Sequence, residues 1–184
     1  GVLEENNVLV CTPTASGKTL IAEMAYVHMH EKKKMGLYVV PLKALASEKL
    51  REFREHHTFR VGMSVGDLDE SDKDLGTYDV LVVTAEKLDS LLRHHATWLS
   101  RVGVVVVDEI HLLNDSSRGP TLEILLTMLR RQLKPQIIGL SATIGNPQEL
   151  ADWLDATLVQ DDWRPVRLDK GVYVDGEIRF PKKK

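Results

Sequence analysis

The chain has 184 residues, 43% of them apolar and 28% charged, with a net charge of -3, which suits one domain with a sizeable core and excludes a global basic field. Any nucleic-acid contact must therefore rest on local groups. The single cysteine, Cys11, excludes an internal disulfide framework, no apolar run reaches membrane-spanning length, and the N-terminus lacks a basic-then-apolar signal pattern, so the cytoplasm is the expected compartment and no membrane partner is expected.

From the N-terminus, Val8 to Cys11 reads as a strand, TPTASGKT at Thr12 to Thr19 as a loop, and Lys18 to His30 as a helix. That order is the one a phosphate-binding loop needs: a strand delivers the loop, the loop wraps the phosphates, and a helix N-terminus points its free N–H groups and dipole at them. Thr14, Ala15, Ser16, Gly17, Lys18 and Thr19 are the candidate nucleotide-binding residues. Lys18 supplies a mobile positive charge for the β- and γ-phosphates, and the Thr19 hydroxyl a ligand for Mg²⁺. The pattern's usual first glycine is Thr12 here. A Gly-Lys-Thr that merely opens a helix is the alternative.

Further strands are expected at Leu37 to Val40, Arg60 to Ser64, Val80 to Thr84, Val102 to Val107, Gln136 to Leu140 and Thr157 to Val159. Helices are expected at Leu42 to Glu55, Ala85 to Leu92, Thr121 to Arg131 and Pro147 to Leu154, the last with Asn146 as N-cap. This alternation predicts an α/β fold with a mostly parallel central sheet covered by helices on both faces. The acidic stretch Asp67 to Asp74 reads as a solvated loop. Beyond Val159 the turn signals and short alternating segments read as a strand or hairpin leaving the sheet, so the domain is placed at 1–160 and a connecting segment at 161–184.

Val102 to Val107 is the apolar run of a strand buried on both faces, and it ends in Asp108-Glu109-Ile110-His111. Ligands of open α/β sheets bind at the carboxyl ends of strands, which would bring these carboxylates to the edge that carries the phosphate loop. Asp108 is then placed to hold Mg²⁺, partly through water, and Glu109 to orient and deprotonate an attacking water; with Lys18 they form the candidate catalytic set. A helix N-terminus stabilised by acidic residues is the alternative. Gln136 to Leu140 ends in Ser141-Ala142-Thr143, and hydroxyls of Ser141 and Thr143 at the same edge would couple to His111, unless they only bond nearby backbone. The seven histidines lack cysteine partners or a two-turn zinc pattern and read as solvated helix ends. Trp98, Trp153 and Trp163 read as packed.

TPTASGKT, DEIH and SAT, each after a strand, resemble motifs I, II and III of superfamily-two helicases. PLKALA at Pro41 to Ala46 resembles motif Ia, VGD at Val65 to Asp67 the family's short GD element, and TAEK at Thr84 to Lys87 motif Ib. DEIHLL, RGPTLE at Arg118 to Glu123, IGLSAT, and DWRPV at Asp162 to Val166 resemble the archaeal Hel-type DNA repair helicases of the Ski-like branch, which are similar to the helicase part of polymerase theta. The resemblance covers essentially the whole chain.

It implies a first RecA-like P-loop motor domain of an ATP-dependent 3′ to 5′ DNA helicase acting on forked or stalled replication structures, with ATP and Mg²⁺ as cofactors. It also implies that Pro41, Leu42, Lys43, Ala44, Thr84 and Lys87 touch the backbone of a tracked single strand, with Arg118 as a further contact. The plain alternatives are that Leu42, Ala44, Leu45 and Ala46 start a packed helix and that Arg118 is an exposed arginine before one. A glutamine-bearing adenine-recognition segment and a second RecA-like domain with the transition-state arginine are further implied partners in cis, together with accessory domains. Neither is read in these 184 residues. The expectation is half an active site, inefficient alone, on a monomeric chain that is nucleoid-associated if archaeal. An RNA helicase of the same superfamily and a non-catalytic nucleotide- or single-strand-binding module are the competing readings.

Overall fold

The β-branched runs assemble into one parallel sheet. A computed structural model describes residues 1–13, 16–56, 59–66, 74–142, 144–163, 169 and 171–180. Thr14, Ala15, His57, Asp67, Thr143, the Arg164 to Val166 part of DWRPV and the last four residues therefore lie outside the described residues.

The strands are β1 (Val8–Cys11), β2 (Met35–Val40), β3 (Val61–Ser64), β4 (Val80–Thr84), β5 (Val102–Val107), β6 (Gln136–Ser141) and β7 (Thr157–Gln160). They form a seven-stranded sheet in the order β3-β4-β2-β5-β6-β1-β7, with every neighbouring pair parallel. The helices between them are α1 (Lys18–Glu31), α2 (Lys43–His56), α3 (Ala85–Arg93), α4 (Gly119–Gln132) and α5 (Pro147–Leu154).

A parallel sheet needs cover on both faces, and the alternation of side chains along each strand supplies two cores. Val8 and Val10 of β1 pack with Ala22, Ala25 and Tyr26 of α1 and Phe53 of α2. Leu9 and Cys11 pack on the opposite face with Leu88 of α3, Leu125 of α4 and Leu154 of α5. β2, β5 and β6 are buried at every position, as strands covered on both sides must be.

Element ends move by up to two residues from the expected ones. β2 starts earlier because Gly36 can lie under the Tyr26 ring, where a Cβ would come within 2.3 Å of a ring carbon. Asn146 stands at the N-cap of α5, but its side chain donates to Glu149 Oε2 at 3.0 Å rather than capping the backbone. Among the described residues four short 3₁₀ turns, one of them Ile110–Asn114, join the larger elements. Past β7, β8 (Val172–Val174) and β9 (Glu177–Arg179) form an antiparallel hairpin with exposed residues throughout. Its Asp175-Gly176 turn has φ of 50° and 85°, the left-handed pair that a tight hairpin requires. Trp98 is buried and Trp153 half-buried, whereas Trp163 is 61% exposed, against the expectation of packing.

Because all seven strands run the same way, Cys11, Val40, Ser64, Thr84, Val107 and Ser141 end at one edge. The segments that follow these strands are gathered there.

Candidate nucleotide-binding site

The phosphate loop ends where Gly17 takes φ 80° and ψ 24°, a conformation that releases the chain straight into α1. Among the described residues no side chain caps this helix start, which leaves its first N–H groups for an anion. Where the loop pattern usually has a glycine, the Thr12 hydroxyl bonds the Ser16 hydroxyl at 2.6 Å and closes the loop's base. Lys18 Nζ donates to the backbone oxygens of Thr12 and Pro13, each at 2.9 Å, which holds its charge over the loop.

At the end of β5, Asp108 N donates to Val39 O at 2.9 Å. The Asp108 carboxylate accepts at both oxygens: from Glu109 N at 3.0 Å on Oδ1 and from the Tyr38 hydroxyl at 2.8 Å on Oδ2. Glu109 turns the chain with φ 50° and ψ 41° and makes no side-chain cap to the 3₁₀ turn that follows. The acidic pair is therefore not a capping device. Ile110, fully buried beneath it, anchors the turn in the core.

Ser16, Gly17, Lys18, Thr19, Asp108 and Glu109 line one open cleft of about 530 Å³. Tyr38, Lys49 and Glu52 line it too, and the sequence reading missed all three. Lys49 Nζ donates to Thr19 Oγ1 at 2.8 Å and to Glu52 Oε2 at 2.7 Å. The available signal for Tyr38 was a hydroxyl-bearing ring inside an otherwise aliphatic strand. Lys49 carried none, since it reads as one charge among many on α2. A hydroxyl and a carboxylate are the hard oxygen donors that Mg²⁺ takes, and the Lys49 ammonium already rests on the Thr19 hydroxyl as a stand-in cation. The donor set fits the metal.

Toward the β2 and β4 side of the same edge, Leu42 is 45% exposed and Lys43 and Ala44 are exposed as well, with Pro41 half-buried behind them. Leu42 and Ala44 are thus not the packed start of a helix, although Ala46 is buried. Lys43 reaches Gly66, where a Cβ would lie 2.9 Å from its ammonium. Lys87 is half-buried in the first turn of α3. Arg118, exposed at the start of α4, shares a small hollow with Pro41, Glu86, Asp108 and Glu109.

Two expectations are corrected. Thr84 is 4% exposed, and its hydroxyl accepts from Lys87 N as the N-cap of α3; a side chain committed to a helix end inside the protein does not face a strand. The Ser141 side chain is fully buried beside the Cys11 thiol, its partner across the β1–β6 register, rather than against His111. Its backbone oxygen accepts from Thr12 N at 3.2 Å, so the contact runs to the phosphate loop instead. His111 Nδ1 lies 3.3 Å from Glu109 Oε2. Burial pushes the Cys11 thiol pKa up, with Ser141 and the Lys18 charge pulling the other way, which keeps the thiol protonated as a small packed group.

The DEAD/DEAH box helicase family profile matches residues 1–150. The chain is 56% identical to the ATP-dependent DNA helicase Hel308 of Methanocaldococcus jannaschii, over 98% of this chain and 16% of the relative. It is also 56% identical to the ATP-dependent DNA helicase Hel308 of Pyrobaculum calidifontis, over 98% of this chain and 26% of the relative. It thus spans about a quarter or less of the length of these relatives. The crystal structure of the Pyrococcus furiosus Hef helicase domain superposes with a TM-score of 0.72 at 24% identity, covering 87% of this chain and 35% of that one, and shares the fold. This chain belongs to the DEAD/DEAH box helicase family.

Proposed function

We propose that this chain is the ATP- and Mg²⁺-binding motor domain of an ATP-dependent 3′ to 5′ DNA helicase that acts in DNA repair or at stalled forks. The observation that carries the reading is the convergence of Lys18, Thr19, Asp108 and Glu109 on one cleft beside an uncapped helix start. Lys18 leaves its loop carbonyls to clamp the β- and γ-phosphates, and the α1 N–H groups hold the rest of the anion. Mg²⁺, held by Thr19 and Asp108, supplies neutralisation of phosphate charge when bound. Glu109 orients the attacking water and accepts its proton.

Among the described residues the cleft wall holds Lys18 and Lys49 and no arginine. An arginine from a second motor domain in cis would supply about 10³ to 10⁵ in rate, so the chain alone turns over slowly. Leu42, Lys43, Ala44, Lys87 and Arg118 form the face for a single DNA strand, gripped by its backbone without reading sequence. The names of the relatives favour DNA over RNA as that strand.

The test is ATPase rate with Mg²⁺, with and without single-stranded DNA, on this chain and after adding the second motor domain. Turnover stimulated by DNA only in the pair supports the reading. Robust DNA-independent turnover by this chain alone would mean a complete site of another kind of ATPase, and stimulation by RNA but not DNA would reassign the strand.

A further inference from the structure

One buried hydroxyl in the cleft is not needed by the core that surrounds it. Tyr38 is 1% exposed in β2, and its ring meets Phe53 edge-on at 5.2 Å between centroids. A phenylalanine would fill the same space. The hydroxyl instead donates to Asp108 Oδ2 at 2.8 Å, across a sequence separation of 70 residues. Burial first, and then the Asp108 charge, push the phenol far above its ordinary pKa. A phenol is an O–H donor at neutral pH in any case.

The other carboxylate oxygen accepts from Glu109 N at 3.0 Å. Each Asp108 oxygen therefore has one fixed donor, which sets both the direction and the plane of the carboxylate, and each keeps acceptor capacity for the cleft. Glu109 N is the next residue along the chain, whereas Tyr38 reaches the carboxylate from another strand. Lys49, 5.8 Å from the Tyr38 ring centroid, donates to the Thr19 hydroxyl in the same cleft.

We propose that Tyr38 is a positioning residue for the metal site, orienting the Asp108 carboxylate so that it meets a divalent cation shared with Thr19. The proposal rests on the reading of this cleft as a Mg²⁺-nucleotide site. Carboxylates that ligate metals are themselves held by hydrogen bonds, and loss of such a partner typically costs about 10- to 100-fold in metal affinity. Tyr38 acts through Asp108, whose Oδ2 its hydroxyl meets at 2.8 Å.

The experiment is a Mg²⁺ titration of fluorescent ADP binding to the chain and to its Tyr38→Phe variant, with a thermal melt of both. The substitution keeps the ring and its packing, so the variant folds. The Mg²⁺ midpoint is expected to rise about 10- to 100-fold while ADP affinity without Mg²⁺ stays within about twofold, since the Tyr38 hydroxyl is spent on Asp108 and its loss is felt through the metal. In an Asp108→Asn background the same substitution is expected to add no shift. A Mg²⁺ dependence that Tyr38→Phe leaves unchanged overturns the proposal alone, and so does an equal shift in the Asp108→Asn background. ADP binding without any Mg²⁺ dependence in the parent chain overturns the site reading together with it.

Discussion

Replacing Glu109 by glycine should leave the domain more stable than replacing it by glutamine, while silencing it. Glu109 holds φ 50° and ψ 41°, and a non-glycine residue in that left-handed region costs about 1 to 2 kcal/mol. Glycine relieves that cost but adds about 0.5 to 1 kcal/mol of backbone entropy to the unfolded chain. The Glu109 carboxylate has His111 Nδ1 at 3.3 Å, with both side chains about a third exposed, a contact worth about 0 to 1 kcal/mol. Glu109→Gln provides the reference, because it keeps the backbone cost and removes only the charge. From the midpoints of the strain and entropy ranges the glycine variant should exceed the glutamine one by about 0.75 kcal/mol, or about 1.5 to 3 °C in Tm for a chain of this size. Urea unfolding of both variants measures the difference. In the longer protein both should retain nucleotide binding and lose hydrolysis. A glycine variant no more stable than the glutamine one would refute the strain argument, and normal turnover in Glu109→Gln would remove Glu109 as the base.

Lys18→Ala removes the ammonium that the proposed site sets on the phosphates and should weaken nucleotide binding by about 100-fold or more; calorimetry showing unchanged affinity would sink the phosphate-loop assignment. Thr84→Val should lower stability by about 1 kcal/mol through the lost cap of α3 and leave single-strand affinity as it was, whereas weakened DNA binding at full stability would return Thr84 to the strand face. Binding of single-stranded DNA should fall with salt at a log-log slope of about -0.7 per phosphate contact, and Lys43→Ala should flatten it by about one such step; an unaltered slope counts against Lys43. Burial raises the Asp79 pKa, but hydrogen bonds from Arg60 and the charges of Arg60 and His30 outweigh it and hold the carboxyl below its ordinary value. Its stabilisation is full above the unfolded pKa of about 3.9 and is lost as pH falls through the lower folded value. The stability advantage of the parent over Asp79→Asn should therefore shrink on acidification, and an advantage that grows below that pH would contradict the ion-pair account.

Much of the fold was legible because its signals are local. Val102 to Val107 needed cover on both faces wherever it lay, and Pro147 could only open a helix or break one. The Asp-Gly pair at 175–176 announced a tight turn between alternating segments. Thr84 misled because its position at a strand end is shared by residues that do face the cleft, and only the start of α3 turned its hydroxyl inward. Ser141 misled in the same way: β6 ends beside β1, so its neighbour is Cys11 and not His111.

By itself the sequence determined which residues arrive at the ends of parallel strands, since periodicity, turn residues and the Gly-Lys-Thr step act within a few positions of one another. Tertiary structure alone decided which of them share a wall. The order β3-β4-β2-β5-β6-β1-β7 sets β2 beside β5, and that adjacency brings Tyr38 to Asp108 across 70 residues of chain. The packing of α2 beside α1 likewise lays Lys49 on the Thr19 hydroxyl. Strand order and helix packing follow from the burial of whole faces, a sum over the chain that no short stretch of it contains.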